Sequence, residues 1–594
     1  MATWKAPLRE YRFILHELLG VEDVSALPGY EEATPEIFDA VLEQAGTFCE
    51  EVLLPLNRSG DEEGCRFENG QVLTPKGFKE AYAQFREAGW IGLAASPEWG
   101  GQGLPKLLHF LVEEMISSTN HAFGMYPGLA NGAYEAIRTH AGEALKQEFL
   151  PKLVSGEWLG TMNLTEPQCG TDLGLIRTRA EPQAGGSYAI TGTKIFISAG
   201  EHDLTENIIH LVLAKLPDAP PGIRGISLFV VPKVLIDPAT GAKTRNGVAC
   251  GSIEHKMGIH GSATCVMNFD GAKGWLVGEA HKGMRAMFTM MNAARLGVGI
   301  QGLGHAETAY QSARTYAGER LQGRALSGAK YPDRPADPLL VHPDVRRMLL
   351  TIRAQAEGGR ALACWIGKEI DISLKHPDPD RRAAADDLVQ LMTPIVKSYL
   401  TDTGFESAVL AQQVLGGHGY IREWGIEQIV RDCRITQIYE GTNGIQALDL
   451  VGRKLGTGMG RLLRRFFHPV SAYLTEAAKQ PELAEFALPA AKTLGRLQQV
   501  TALLAQKGLA DPEEAGAAAS DYLRLFAHAA LAYLWTRMAA LALAGLDGED
   551  GAFYRAKLAT ARFYMTRLLP QATAHALAIQ AGAKPIMEME EAAF

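Results

Sequence analysis

AQQVLGGHGYIREWGIEQIVRDCRITQIYEGTNGIQ, residues 411–446, runs from a Gly-Gly turn through a helix with basic residues to a glutamate. Glu440 follows Ile438-Tyr439, precedes Gly441, and stands just ahead of a run that reads as a helix start. A carboxylate held against apolar neighbours is costly to ionise, which raises its pKa and makes it a better proton acceptor near neutral pH. An exposed turn residue is the ordinary reading of a Glu-Gly pair, so the surrounding chain has to decide.

Outward from this stretch the apolar spacing changes character along the 594 residues. At that length, three or four domains are expected. Residues 1–158 recur with helical period, as in PEIFDAVLEQAGTFCEEVLLPL, broken at PEWGGQGLP. Residues 159–285 switch to short β-branched and aromatic runs bounded by turn residues, among them YAITGTKIFISAG and GISLFVVPKVLI, which read as an antiparallel β domain. The helical period returns over 286–458 and continues through an Ala- and Leu-rich block at 459–594. The fold class is therefore mainly α with a central β domain.

Several functions are excluded early. GVGIQG, residues 297–302, satisfies a dinucleotide-binding pattern, but the preceding residues are Met-rich with helical spacing where a buried strand is needed. Its small residues suit close approach to the helix backbone. His255 and His260 have no accompanying ligand cluster, so no metal is expected. There is no GxSxG elbow and no P-loop.

A formal charge of −9 without a long basic block argues against nucleic acid as a partner. Seven scattered cysteines with no CxxC pair suggest free thiols and a cytoplasmic location. The charges within MATWKAPLREYRFILHELLG fit an amphipathic helix and interrupt any signal-peptide core, while Arg524, His528 and Arg537 argue against a membrane span at 523–546.

Two further segments carry chemistry. MNLTEPQCGTD, 162–172, offers the Thr165 and Thr171 hydroxyls and accessible backbone at Gly170. GTKIFISAG, 192–200, alternates Phe196 and Ser198 onto one strand face, an aromatic and a hydroxyl suited to a flat heteroaromatic ring. With the 411–446 stretch, in which Gln413, Gly416, Gly417, Gly419, Arg431, Asp432, Ile438, Glu440, Gly441 and Thr442 match in register, these segments resemble the acyl-CoA dehydrogenase family of flavoproteins over residues 40–455.

That resemblance implies a helical domain, a β domain and a four-helix domain, FAD as cofactor, and α,β-dehydrogenation of an acyl-CoA thioester to a trans-2-enoyl-CoA. It implies Glu440 as the base that takes the α-proton, with the β-hydride passing to flavin N5. Leu164, Thr165, Gly170, Thr171, Phe196, Ser198 and Thr442 match cofactor positions. Arg320, Gln413 and Gly417 match positions that hold the adenylate and pyrophosphate from a neighbouring subunit, and Thr171, Arg295 and Tyr439 match substrate-side positions. Some branches place the base just before the position of Arg295, but Ala294 stands there and takes no proton. Gln322, Gly323 and Gly444 depart from the pattern.

Both chain ends resemble a longer subgroup that includes 3-methylmercaptopropionyl-CoA dehydrogenase, whose members are commonly dimers. A homodimer, with electron-transfer flavoprotein as acceptor and either that thioester or a fatty acyl-CoA as substrate, is the expectation. Two alternatives share the fold. An acyl-CoA oxidase would keep Glu440 and use O2, and a non-catalytic alkylation-response flavoprotein would bind DNA through its C-terminal region. Residues 456–594 hold 14 Lys plus Arg against 13 Asp plus Glu, which gives that region no basic excess for phosphates.

Overall fold

Trp158–Asn163 begins the β region, and its partner is Asn207–Lys215, running parallel to it. The strand pattern alone reads as antiparallel throughout. The difference arises because 43 intervening residues, from 164 to 206, carry the chain back to the same end of the sheet, as any parallel pair requires. The remaining ladders are antiparallel apart from one parallel pairing of Arg179 with Lys215.

Thr264–Val277 pairs with Tyr188–Ser198, which pairs with Arg179–Pro182, then Asn207–Lys215, then Ile226–Pro232, which returns to Thr264–Val277. Five strands thus close on themselves, the single Arg179–Lys215 pair being the link between the third and fourth. Ile190, Val212, Phe229, Val231, Met267 and Phe269 share their core, each apolar side chain worth roughly 1.5–3 kcal/mol on burial.

The computed structural model describes residues 3–594, so the first two residues of the N-terminal segment lie outside it. Two compact units divide the chain. One contains the strands and comprises Phe48–Leu104 and Thr119–Gly297. The other is helical and comprises the chain up to Thr47, Pro105–Ser118 and Val298–Phe594.

In the helical unit, the long helices Pro343–Lys375 and Pro379–Val414 are joined by the C-terminal part of Gly283–Glu319. GVGIQG lies inside that last helix, in accord with its rejection as a strand-to-helix turn. A Cβ on Gly302 would meet the Leu400 carbonyl oxygen at 2.5 Å, and one on Gly404 would meet the Gly302 oxygen at 2.3 Å. Backbone therefore lies directly on backbone here, which only glycine permits.

The extension adds Arg461–Ala477, Ala484–Ala510, Pro512–Ala544, Gly551–Phe563 and Gln571–Ala581. Pro512–Ala544 is long and apolar enough to cross a membrane by composition, and 78% of its most apolar window is buried. The N-terminal segment forms a helix over Leu8–Arg12 that continues as π-helical turns through Leu19. It docks by charge as well as by apolar contact. Lys557 Nζ lies 2.6 Å from both Glu10 oxygens and 2.6 Å from Glu357, and all three side chains are buried. Arg360, also buried, bonds Glu114 and Glu307 at 2.6 Å each. Mutual pairing is what makes such burial tolerable.

Candidate active site

Glu440 sits in the left-handed region at φ +58°, followed by Gly441 at +83°. A bulky residue holds that conformation only when its surroundings over-determine it, and such residues cluster at functional sites. The surroundings here are side chains from other segments of the helical unit. Lys397 Nζ, fully buried, donates to the Gly441 carbonyl at 3.0 Å and to Asn443 Oδ1 at 2.9 Å. Gln446 Nε2 donates to the carbonyls of Glu440 and Gly441, both at 3.2 Å. Thr442 caps the short helix Asn443–Asp449 by accepting from the Ile445 amide at 3.4 Å.

Tyr439 donates its hydroxyl to Gln301 Oε1. Burial, and next the Glu440 carboxylate beside it, push this phenol well above its ordinary pKa, so it remains a donor. Glu440 itself is half-buried. The sequence reading missed Lys397, Gln446 and Gln301. Lys397 alone left a signal, as a lone charge in the apolar run TPIVKSYL.

In the strand-containing unit, Phe196 also has φ +58° and is 59% exposed. Its strand is bulged there: Ile195 and Phe196 together oppose the single residue Val266, between the pairs Lys194–Met267 and Ile197–Cys265. Strict alternation would put Lys194 on the face of Phe196, yet Lys194 is completely buried. The bulge turns Phe196 outward, a known use of this device beside binding sites. Ser198, two residues on, is half-buried.

Leu164 and Thr165 lie against this strand. The Thr165 carbonyl accepts from the Ile195 amide at 2.9 Å, and the Leu164 carbonyl accepts from Lys194 Nζ at 3.0 Å. Glu166 locks the loop: its carboxylate accepts from Lys194 Nζ at 2.8 Å, the Thr178 hydroxyl at 2.6 Å and the Arg177 amide at 2.7 Å. Burial opposes its ionisation, but Lys194 and these donors bring its pKa down to about 2. Gly170 and Thr171 are exposed further along the loop. Neither Glu166 nor Lys194 was singled out in the sequence, although both stand in the quoted segments. Arg295 is buried in this unit, its guanidinium 5.9 Å from the centre of the Phe288 ring.

Arg320, Gln413 and Gly417 are exposed and belong to the helical unit. Tyr316, one turn before Arg320, shares a hydrogen bond of 2.9 Å with His418, next to Gly417. The segments that carry these residues therefore meet. Gln301, the partner of Tyr439, lies on the helix that ends at Glu319, immediately before Arg320, and the 18 residues from Gln301 to that end span about 27 Å at the helical rise. The structure thus separates them from the Glu440 turn.

Acyl-CoA dehydrogenase family models match most of the chain: the N-terminal domain over 36–157, the middle domain over 161–272, the C-terminal domain over 281–455, and the acetyl-CoA dehydrogenase C-terminal-like domain over 466–590. The chain belongs to the acyl-CoA dehydrogenase family. It is 44% identical to 3-methylmercaptopropionyl-CoA dehydrogenase of Ruegeria pomeroyi, across 96% of this chain and 97% of that one. A butyryl-CoA dehydrogenase of Syntrophomonas wolfei is 35% identical, across 99% and 98%. Among solved structures, acyl-CoA dehydrogenase complexed with FAD from Bacillus anthracis superposes with a TM-score of 0.74 at 22% identity, covering 98% of this chain and 92% of that one. As a member of the acyl-CoA dehydrogenase family, this chain is an FAD flavoprotein and an oxidoreductase acting on acyl-CoA.

Proposed function

We propose that Glu440 is the base that removes the α-proton of an acyl-CoA thioester, and that the observation carrying this is its φ of +58° in a turn held by Lys397 and Gln446. Such a turn fixes the direction in which the Glu440 side chain leaves the backbone, and a positioned base is what proton abstraction from carbon needs. Negative charge gathers on the thioester oxygen as the proton leaves, and a backbone N–H at Glu440 is positioned by the same turn to meet it. Bound FAD supplies the acceptor for the β-hydrogen, which leaves as hydride, so that the two-electron oxidation yields a trans-2-enoyl-CoA.

The residues of the strand-containing unit fit that cofactor. Phe196 offers a solvent-facing ring, Thr165 and Ser198 offer hydroxyls on adjacent segments, and the loop through Gly170 and Thr171 is accessible. Leu164 would add an apolar contact beside them. Thr171, Arg295 and Tyr439 are assigned to the substrate, and Thr442 to the cofactor. Arg320, Gln413 and Gly417 are assigned to the FAD of a second copy in a homodimer. The roughly 27 Å of helix between Gln301, beside the Glu440 turn, and the helix end just before Arg320 supports that assignment.

The terminal extensions and the identity to the Ruegeria pomeroyi enzyme favour dehydrogenation over oxidase chemistry, with 3-methylmercaptopropionyl-CoA as the first substrate to test and butyryl-CoA the second. Electron-transfer flavoprotein is the proposed acceptor. The test is anaerobic titration of the holoenzyme with these and longer acyl-CoAs while following flavin absorbance. The wild type should bleach, and Glu440→Gln should slow bleaching by about 10³-fold, within the range for loss of a general base. Equal bleaching in both proteins would remove Glu440 from the mechanism, and no bleaching with any thioester would remove the activity.

A further inference from the structure

The supports of the Glu440 turn do not end at Lys397. Asp402, five residues further along Pro379–Val414, accepts through Oδ1 from Gln437 Nε2 and Asn443 Nδ2, both at 2.7 Å. These two residues stand three before and three after Glu440, so a single carboxylate oxygen ties the two ends of the turn together. The other oxygen, Oδ2, accepts from Arg524 Nη2 at 2.9 Å. Arg524 lies on Pro512–Ala544, the central helix of the C-terminal extension, and its Nη1 also lies 3.6 Å from Glu406.

We propose that Arg524 is a positioning residue for Glu440: the C-terminal extension reaches the catalytic turn through Asp402 and holds it in its strained conformation. The inference rests on the reading of Glu440 as the base. The chain of groups is continuous and converges on the Asp402 carboxylate from both sides. Lys397 donates to Asn443 Oδ1 at 2.9 Å, Asn443 Nδ2 donates to Asp402 at 2.7 Å, and Arg524 closes the chain with a second positive charge. Lys397, by polarising the Asn443 amide, strengthens its bond to Asp402, as in a series of hydrogen bonds in a poorly solvated site, and Arg524 neutralises the carboxylate on which they converge. The Asp402 side chain is only 14% exposed. With Arg524 absent, its carboxylate would have reason to turn toward water or toward Lys397. Either motion would release Gln437 or Asn443, and the φ of +58° at Glu440 would lose part of what enforces it. This gives the extension a task beyond covering surface.

The test uses the full-length holoenzyme and four variants: Arg524→Met, Arg524→Lys, Asp402→Asn, and Arg562→Met as a control. Arg562 forms an exposed ion pair with Glu485 inside the extension and touches none of the network. Two readouts are taken: the limiting rate of anaerobic flavin reduction, separately from acyl-CoA affinity, and hydrogen exchange over residues 437–446 and 188–198. Arg524→Met and Asp402→Asn are expected to lower the limiting rate about tenfold with affinity unchanged, the size of effect that misplacing a reacting group produces. Exchange should rise over 437–446 and not over 188–198. Arg524→Lys should recover most of the rate, and Arg562→Met should match wild type.

The proposal is overturned if Arg524→Met keeps wild-type rate and exchange. It is also overturned if Arg524→Lys falls as far as Arg524→Met, or if Arg562→Met slows reduction equally, which would mark a general stability effect. Should Arg524→Met not fold, Asp402→Asn decides by the same criteria. A wild type that no acyl-CoA reduces would sink the reading of Glu440, while the exchange over 437–446 would still decide whether Arg524 holds the turn.

Discussion

Phe196 and Glu440 share a backbone dihedral, φ +58°, and almost nothing else in how they keep it. Phe196 is held by the sheet: a bulge with two residues against one, flanked on both sides by paired strand. Glu440 is held by side chains: Lys397 and Asp402 reach in from a distant helix, and Asn443 and Gln446 from just after the turn. Strain fixed by backbone pairing survives most substitutions around it, because no single side chain carries it. Strain fixed by side chains can be released one residue at a time, which makes the Glu440 turn the more adjustable of the two and the more exposed to loss.

The largest test of this difference attacks the Glu166–Lys194 clamp beside the Phe196 bulge. Glu166→Gln leaves the Lys194 ammonium buried without its counter-charge, which should destabilise the unit by about 3–5 kcal/mol. Thermal denaturation of the holoenzyme would register it, and FAD content should fall as the 164–178 loop loosens. If FAD retention is unaffected, the bulge alone suffices to hold the loop face.

Lys397→Met comes next. It strips the Gly441 carbonyl and Asn443 Oδ1 of their charged donor and leaves them the longer bonds from Gln446 and Thr401, at a cost of about 1.5–3 kcal/mol for a hydrogen bond to a charged group. The rate of flavin reduction should drop by more than the stability loss explains, and FAD binding should persist.

Phe196→Gly sharpens the comparison from the other side. Removing the side chain from a left-handed position should raise stability by about 1 kcal/mol. FAD retained through gel filtration should fall at the same time, because the exposed ring is gone. A lower melting temperature would mean that the ring supports the fold and not the cofactor.

The smallest effect is an acid one. Glu166 is held down to about 2 against an ordinary value of 4.5. A carboxyl lowered in this way stabilises the fold fully above its unfolded pKa, and that contribution is lost as pH falls toward its folded value. Between pH 7 and pH 4 the loss is about 0.8 kcal/mol by linkage. Lys194→Met should flatten that part of the pH–stability curve.

The order of helices and strands was legible because hydrophobic period and turn residues are local signals. The Glu440 turn was legible because its motif occupies a continuous stretch. What holds the turn was not. Asp402 and Arg524 are separated by 122 residues, and nothing near either one marks the other. The parallel pairing of Trp158–Asn163 with Asn207–Lys215 was hidden for the same reason, since strand direction depends on the path between strands and not on their composition. The bulge at Phe196 is a matter of register. The alternation of Phe196 and Ser198 suggested a shared face, but only the burial of Lys194 reveals that the pleat had been reset.

The buried contact of Glu10 with Lys557 also sets a schedule for biosynthesis. The two residues lie 547 positions apart, so at ~5–20 residues per second a nascent chain waits roughly half a minute to two minutes between making the carboxylate and making its ammonium. Throughout that interval the amphipathic N-terminal segment has no finished place to dock. Elongation speed, and any chaperone that shields the apolar side of residues 8–19, therefore bears on the yield of the helical unit as directly as any contact within it.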